Sequence, residues 1–271
     1  MVEKFMEEKE TVFWKKDKKG VKCKLCVFDC SILPNKKGVC EVRENKKNYL
    51  YLSGFGQVDG LEVNRIEERS LYHFLPGSTV LAVDLKSPKS WKILPKVKPM
   101  KKKFMPVDLV SYAKEKNVNA IMFTGSEWIG HYEYVIKVFR EARKRNLKTI
   151  LGTSGIIEED PVKKFSKYID ALVFYFFASA NEKYYKEKWL WKKVDKAFNT
   201  LKLFSKYKIF IEVANILVKG YEDLESCVKL ADWVVANLGA ETPFHILKGD
   251  TKLNLVKLKE LHTACKNAGL R

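Results

Sequence analysis

Ser78-Thr79-Val80-Leu81-Ala82-Val83-Asp84-Leu85 is a short, nearly continuous apolar run. Such a run, bounded by turn residues, predicts a strand covered on both faces. The residues that follow turn this single strand into a repeating pattern. Val107 to Lys116 reads as a helix and 118–125 (VNAIMFTG) as a second strand. Tyr132 to Arg145 places Val135, Val138, Phe139 and Ala142 at helical spacing. Strands at 147–155, 170–178, 209–218 and 242–247 alternate with helices at Pro161–Tyr168, 193–206, 222–237 and 252–268. Continuous apolar strands alternating with amphipathic helices predict a parallel sheet wrapped by helices. The expected fold class is α/β, a partial (β/α)6 barrel of the TIM-like kind, with a small N-terminal zinc-binding module built on four cysteines.

Two segments depart from the alternation. Residues 1–70 form an N-terminal module and connector, and 71–271 form the barrel. Within the barrel, 86–106 carries Pro88, Pro95, Pro99 and Pro106, which exclude a regular helix. Lys86, Lys89, Lys92, Lys96, Lys98, Lys101, Lys102 and Lys103 fall in that insertion, and 86–103 contains no Asp or Glu.

The 271 residues hold 51 Lys and Arg against 33 Asp and Glu, a net charge of +18. Eight of those charges therefore sit in one eighteen-residue stretch. A hydrophobic content of 46% and an aromatic content of 13% exclude a mostly disordered chain. No apolar run reaches the ~18 residues that span a bilayer. The charged start MVEKFMEEKE lacks a signal-peptide core. A cytoplasmic protein with an anionic partner is the expectation. Dinucleotide, P-loop, zinc-protease and serine-hydrolase motifs are absent from the sequence.

Cys23, Cys26, Cys30 and Cys40 have the spacing C-x2-C-x3-C-x9-C. Four soft thiolates at short spacing suit a closed, structural Zn²⁺ site. An iron–sulfur cluster, disulfides or free thiols are the other readings. Lys15, Lys16, Lys18, Lys19, Lys22, Lys24, Lys36 and Lys37 flank the cluster. Cys227 and Cys265 lie on expected helices and read as buried apolar thiols.

The cysteine cluster is followed by Gly38-Val39-Cys40-Glu41-Val42-Arg43, Arg65-Ile66-Glu67 and Leu71-Tyr72-His73-Phe74-Leu75-Pro76-Gly77-Ser78. With Thr153-Ser154-Gly155, Tyr168-Ile169-Asp170-Ala171, Ile211-Glu212-Val213 and Glu241-Thr242-Pro243-Phe244-His245, the order of motifs resembles radical SAM proteins related to pyruvate formate-lyase activating enzymes, in particular the AmmeMemoRadiSam-type subgroup. The resemblance covers about residues 21–250 and implies a partial (β/α)6 barrel. It also implies a C-x3-C-x2-C loop holding a [4Fe–4S] cluster after the first barrel strand. Residues 84–104 contain no cysteine. Gly125-Ser126-Glu127-Trp128, Thr153-Ser154-Gly155, Tyr175-Phe176-Phe177 and Leu247-Lys248-Gly249 stand where the family has Tyr-Asn-Glu-Pro, Thr-Asn-Gly, Asp-Leu-Lys and Arg-Phe-His. No iron–sulfur cluster is expected, and the resemblance becomes one to a degenerate member.

The resulting expectation is a non-catalytic pseudoenzyme that binds RNA. It would be ribosomal or ribosome-associated, with ribosomal RNA and ribosomal proteins as partners. The expected contacts are the lysines named above, other than Lys22 and Lys24, together with Trp91, which offers a face for stacking. Basic helical runs at 143–145, 163–164, 183–193 and 202–208, with interleaved aromatics Tyr184, Tyr185, Trp189, Trp191 and Tyr207, are secondary candidates or simply solvated faces. One alternative is an enzyme with other chemistry at the barrel mouth, from Glu127, His131, Glu212 and His245. Another is an interaction partner of an active relative, with Val173–Phe177 as contact surface or core filling. His73 reads as structural, His262 has no visible partner, and Ser126 and Ser154 lack a base in recognisable order.

Overall fold

The computed structural model describes residues 8–85, 99–124, 127–188, 194–221, 223–249, 251 and 255–270. The chain opens with six short strands: β1 (Glu8–Glu10), β2 (Trp14–Asp17), β3 (Gly20–Cys23), β4 (Ser31–Ile32), β5 (Arg43–Lys46) and β6 (Tyr49–Ser53). They make two three-stranded antiparallel sheets, β2-β3-β4 and β1-β6-β5.

The remaining strands share one sheet. β7 (Gln57–Arg65) leads through the connector into β8 (Thr79–Leu85), the run that opened the sequence reading. β9 (Pro99–Lys103) and α1 (Pro106–Glu115) follow, then β10 (Ala120–Phe123), α2 (Tyr132–Lys144), β11 (Lys148–Thr153) and α3 (Glu159–Phe165). β12 (Ala171–Phe177), α4 (Glu182–Lys188), α5 (Asp195–Phe204), β13 (Phe210–Leu217), α6 (Leu224–Leu238), β14 (Phe244–Lys248) and α7 (Leu255–Asn267) complete the described chain. The sheet order is β14-β13-β12-β11-β10-β8-β7-β9. β8 and β10 to β14 are mutually parallel, and β7 runs antiparallel to both β8 and β9. This is the α/β architecture with a parallel sheet that the alternation predicts.

Alternating side chains of the parallel strands feed two apolar layers. Leu81, Val83, Ile121, Phe123, Leu151, Phe174 and Phe176 pack with the helices. Val80, Met122, Ile150, Val173, Tyr175 and Phe177 form the opposite layer, capped by Ile66 and Leu71 of the connector. Every residue of β12 is buried. The apolar run 173–177 is thus core, as period-2 side chains on a doubly covered strand must be. Helix ends follow local chemistry. Pro106 occupies the first position of α1, and the Asp223 carboxylate accepts the Ser226 N–H at 2.6 Å to cap α6.

Three features were not legible in advance. β7 lies within 1–70 yet pairs with β8, so the large sheet begins before residue 71. β9 lies within the basic insertion and pairs with β7 at the sheet edge, Val58 opposite Lys102. Its exposed Lys102 and Lys103 are residues that shield an edge from further pairing. α4 carries only one buried side chain, Tyr185, so no apolar period announces it.

Candidate functional site

The four cysteines surround one small cavity. Cys23 ends β3, Cys26 and Cys30 follow in the next turn, and Cys40 precedes β5. Leu25, Phe28, Ile32, Gly38, Arg43, Ile129 and Gly130 complete the lining. All four are free thiols, which sets the disulfide reading aside in this structure. Burial pushes the thiols of Cys26, Cys30 and Cys40 up from their ordinary range. Backbone N–H groups oppose it: Phe28 donates to the Cys26 sulfur, Val39 to Cys30, and Val42 and Arg43 to Cys40. Donors aimed at sulfur are what a bound thiolate needs. The module is docked on the body of the protein. Val27 N–H donates to Ile156 O at 3.0 Å, and Glu158 N–H to Leu25 O at 3.0 Å.

The lysines around this module are exposed. Lys15, Lys16, Lys18 and Lys19 lie on the β2–β3 hairpin, with Lys36 and Lys37 on the turn after β4. Lys16, Lys18 and Lys19 rim a shallow depression with Asp17, Gly20 and Asn48. Lys102 and Lys103 are exposed on β9, with Lys102 Nζ 5.1 Å from the Phe104 ring centre. Lys101 shares that strand. Lys86, Lys89, Trp91, Lys92, Lys96 and Lys98 lie outside the described residues, as do Ser126, Trp189 and Trp191. Part of the helical basic runs is ion-paired. Arg145 and Lys144 each meet Glu141 at 3.2 Å, Arg143 is 3.7 Å from Asp170, and Lys163 is 2.7 Å from Glu159. Tyr185 is buried and Tyr184 packs edge-on against Tyr221, so neither stands free for stacking.

The barrel-mouth candidates do not converge. Glu127 opens a 3-10 turn after β10, and His131 is fully buried at the start of α2. Both belong to the carboxyl ends of the strands. Glu212 and His245 sit near the amino ends of β13 and β14, at the opposite edge of the sheet. There they meet the connector. Tyr72 N–H donates to Glu212 Oε2, and His73 and Phe74 N–H donate to Oε1, each at 3.0 Å. His245 Nε2 is 2.6 Å and His73 Nδ1 is 3.3 Å from Oε2. Burial alone would raise the Glu212 carboxyl; the bond to His245 and the three N–H groups outweigh it and hold it at about 2. His73, Glu212 and His245 are the group of three or more His, Cys, Asp or Glu among the described residues whose ligand atoms all lie within 4.8 Å of one another. His73 thus joins the group that sequence reading assigned to Glu212 and His245. Only the return of the connector to β13, 139 residues apart in sequence, reveals it.

At the carboxyl ends a second polar knot is buried. Asn215 of β13 accepts the Ser179 N–H and donates to Ser179 Oγ, both at 3.0 Å, and lies 3.5 Å from Cys227 Sγ. Cys227 Sγ and Cys265 Sγ are 3.2 Å apart, joining α6 to α7. Ala178, Ser179 and Ala180 all have positive φ, between 49 and 60°. Gly155, after β11, has φ 83°, and a Cβ there would lie 2.6 Å from the Phe174 ring.

No protein-family model matches the chain. An uncharacterised protein of Methanocaldococcus jannaschii is 29% identical over 253 residues, which is 88% of this chain and 73% of that protein. Among solved structures, a domain of a pyruvate-formate lyase-activating enzyme from Bacteroides vulgatus has 11% identity and a TM-score of 0.49, over 56% of this chain and 96% of that domain. QueE from Escherichia coli has 9% identity and a TM-score of 0.39, over 71% of this chain and 94% of its own. At these identities the likeness concerns fold. The neighbours are enzymes, and the expectation of a protein without catalytic function does not stand against them. Residues 84–104 contain no cysteine, which bears on a thiolate-held cluster there and on no other chemistry. Among the described residues no helix is long and apolar enough to cross a membrane.

Proposed function

We propose that the protein binds RNA, ribosomal or ribosome-associated, through its N-terminal module and the basic edge of the large sheet. The scaffold is read as a partial (β/α)6 barrel of radical SAM type with a structural Zn²⁺ among Cys23, Cys26, Cys30 and Cys40. The supporting observation is a gathering of lysines: Lys15, Lys16, Lys18, Lys19, Lys36 and Lys37 are exposed together on one small module. Exposed lysines on short turns suit phosphate contacts without base readout. The zinc reading rests on four thiols around one cavity with N–H groups aimed at sulfur. The test is RNA affinity across a salt series. Replacing Lys15, Lys16, Lys18 and Lys19 by Ala should lower the magnitude of the log K against log salt slope by about 3 to 4 if each contacts one phosphate. An unchanged slope and affinity would remove the reading.

A second reading, catalysis by chemistry other than the family's, has its own observation behind it. Two imidazoles converge on a buried carboxylate beside a cavity of about 540 Å³. Turnover would have to disappear on His73→Ala for this reading to stand.

A further inference from the structure

We infer that His73, Glu212 and His245 form a binding site for one divalent transition-metal ion at the amino ends of the parallel strands. The inference deepens the second reading by naming the ligand of that group, and it does not depend on RNA binding.

A count of lone pairs carries the argument. A carboxylate oxygen offers about two acceptor sites. Glu212 Oε1 uses both on the N–H groups of His73 and Phe74. Oε2 faces three groups: Tyr72 N–H, His245 Nε2 and His73 Nδ1. As hydrogen bonds alone, that is one donor more than the oxygen accommodates. It would also require both rings to turn a protonated nitrogen toward the same atom. A divalent ion removes the conflict. The neutral rings then present lone pairs, Oε2 gives one pair to Tyr72 N–H and one to the ion, and each donor is matched. Two imidazoles and one carboxylate suit Zn²⁺, Fe²⁺, Co²⁺ or Ni²⁺ rather than Mg²⁺ or Ca²⁺.

The surroundings agree. Glu212 is fully buried, and its three N–H partners fix the carboxylate before any ligand arrives. The rings are held as well: those of His73 and His245 stack with centres 5.7 Å apart, and Tyr72 packs on His245 at 4.8 Å. The His73 side chain is 58% exposed, so an ion bound there keeps positions open to solvent. His245 and Tyr72 also line the cavity between β14 and α7, whose other walls include Lys259, His262 and Lys266. That cavity supplies an entry path and room for an anionic co-ligand.

The test uses the full chain, stripped of metal and titrated with Co²⁺. Wild type should bind one Co²⁺ with nitrogen and oxygen ligation, seen as weak d–d bands without sulfur-to-cobalt charge transfer. Cobalt at the cysteines carries that charge-transfer band and is counted separately. His73→Ala, at a half-exposed position, should leave the fold and the thiolate bands intact and weaken the nitrogen–oxygen site by about tenfold or more. His245→Ala should do the same. Absence of a nitrogen–oxygen cobalt signal in wild type, or equal occupancy in wild type and His73→Ala, would overturn the inference. Metal binding without turnover would leave it standing and remove only the catalytic reading.

Discussion

Arg43, at the start of β5, grips both carboxylate oxygens of Glu133 on α2, at 2.6 and 2.8 Å. The Arg43 side chain is 1% exposed and also donates to Gly130 O and Val12 O. It lines the cysteine cavity from below, so one residue joins the N-terminal module to the large sheet's helical layer. Removing one partner of such a pair strands the other charge without compensation. Arg43→Met should lower stability by about 3–5 kcal/mol in urea unfolding, and adding Glu133→Gln should restore part of it. A loss under about 1 kcal/mol would show that the pair is not what holds the module.

Glu212 anchors the connector by accepting three consecutive backbone N–H groups. Glu212→Gln replaces one acceptor oxygen by an NH₂ that faces those donors. At least one buried N–H then loses its partner, at a cost of about 1–3 kcal/mol. Amide hydrogen exchange at Tyr72, His73 and Phe74 should accelerate in this variant while β10 and β11 keep their protection.

The turn Ala178–Ser179–Ala180 holds three non-glycine residues in the left-handed region. Each costs roughly 1 kcal/mol there, offset by the Asn215 bonds to Ser179. Ala180→Gly should therefore stabilise the protein by about 1 kcal/mol. Asn215→Ala should destabilise it by about 1–3 kcal/mol, since it orphans the buried Ser179 N–H. Thermal unfolding measures both, and the two signs must be opposite.

The proposed zinc site in the N-terminal module makes chelation a folding experiment. Removing it should unfold the β2–β3 hairpin region and leave the large sheet in place, because metal-binding energy is folding energy for a small thiolate site. Protease sensitivity confined to about residues 8–55 is the expected readout. A module equally resistant with and without metal would argue that Arg43 and the apolar contacts suffice.

Cys227 and Cys265 offer a direct check on packing at the other end. Their sulfurs are 3.2 Å apart and buried. Oxidised dithiothreitol, accepting the two protons and two electrons that the thiols release, should join them into an intramolecular disulfide found by peptide mapping. Cys227→Ser should abolish it.

The sequence by itself determined the strand–helix alternation, because burial on both faces and helical apolar spacing are local patterns that neighbouring residues carry. It determined the cysteine module for the same reason, since C-x2-C-x3-C-x9-C lies within eighteen residues. It left Val173–Phe177 open between core filling and contact surface, and burial of all of β12 decided for the core. Tertiary structure decided what local pattern cannot express. β9 became a strand only because β7 offered an edge, against the propensity of a Pro/Lys segment. Some basic residues of the helices, Lys144, Arg145 and Lys163 among them, turned out to face acidic neighbours, which depends on rotamer and register. Above all, His73 reached Glu212 and His245 through a connector that folds back across the sheet. Residues 139 and 33 positions apart converge on one carboxylate because long-range packing, not spacing along the chain, sets their distance.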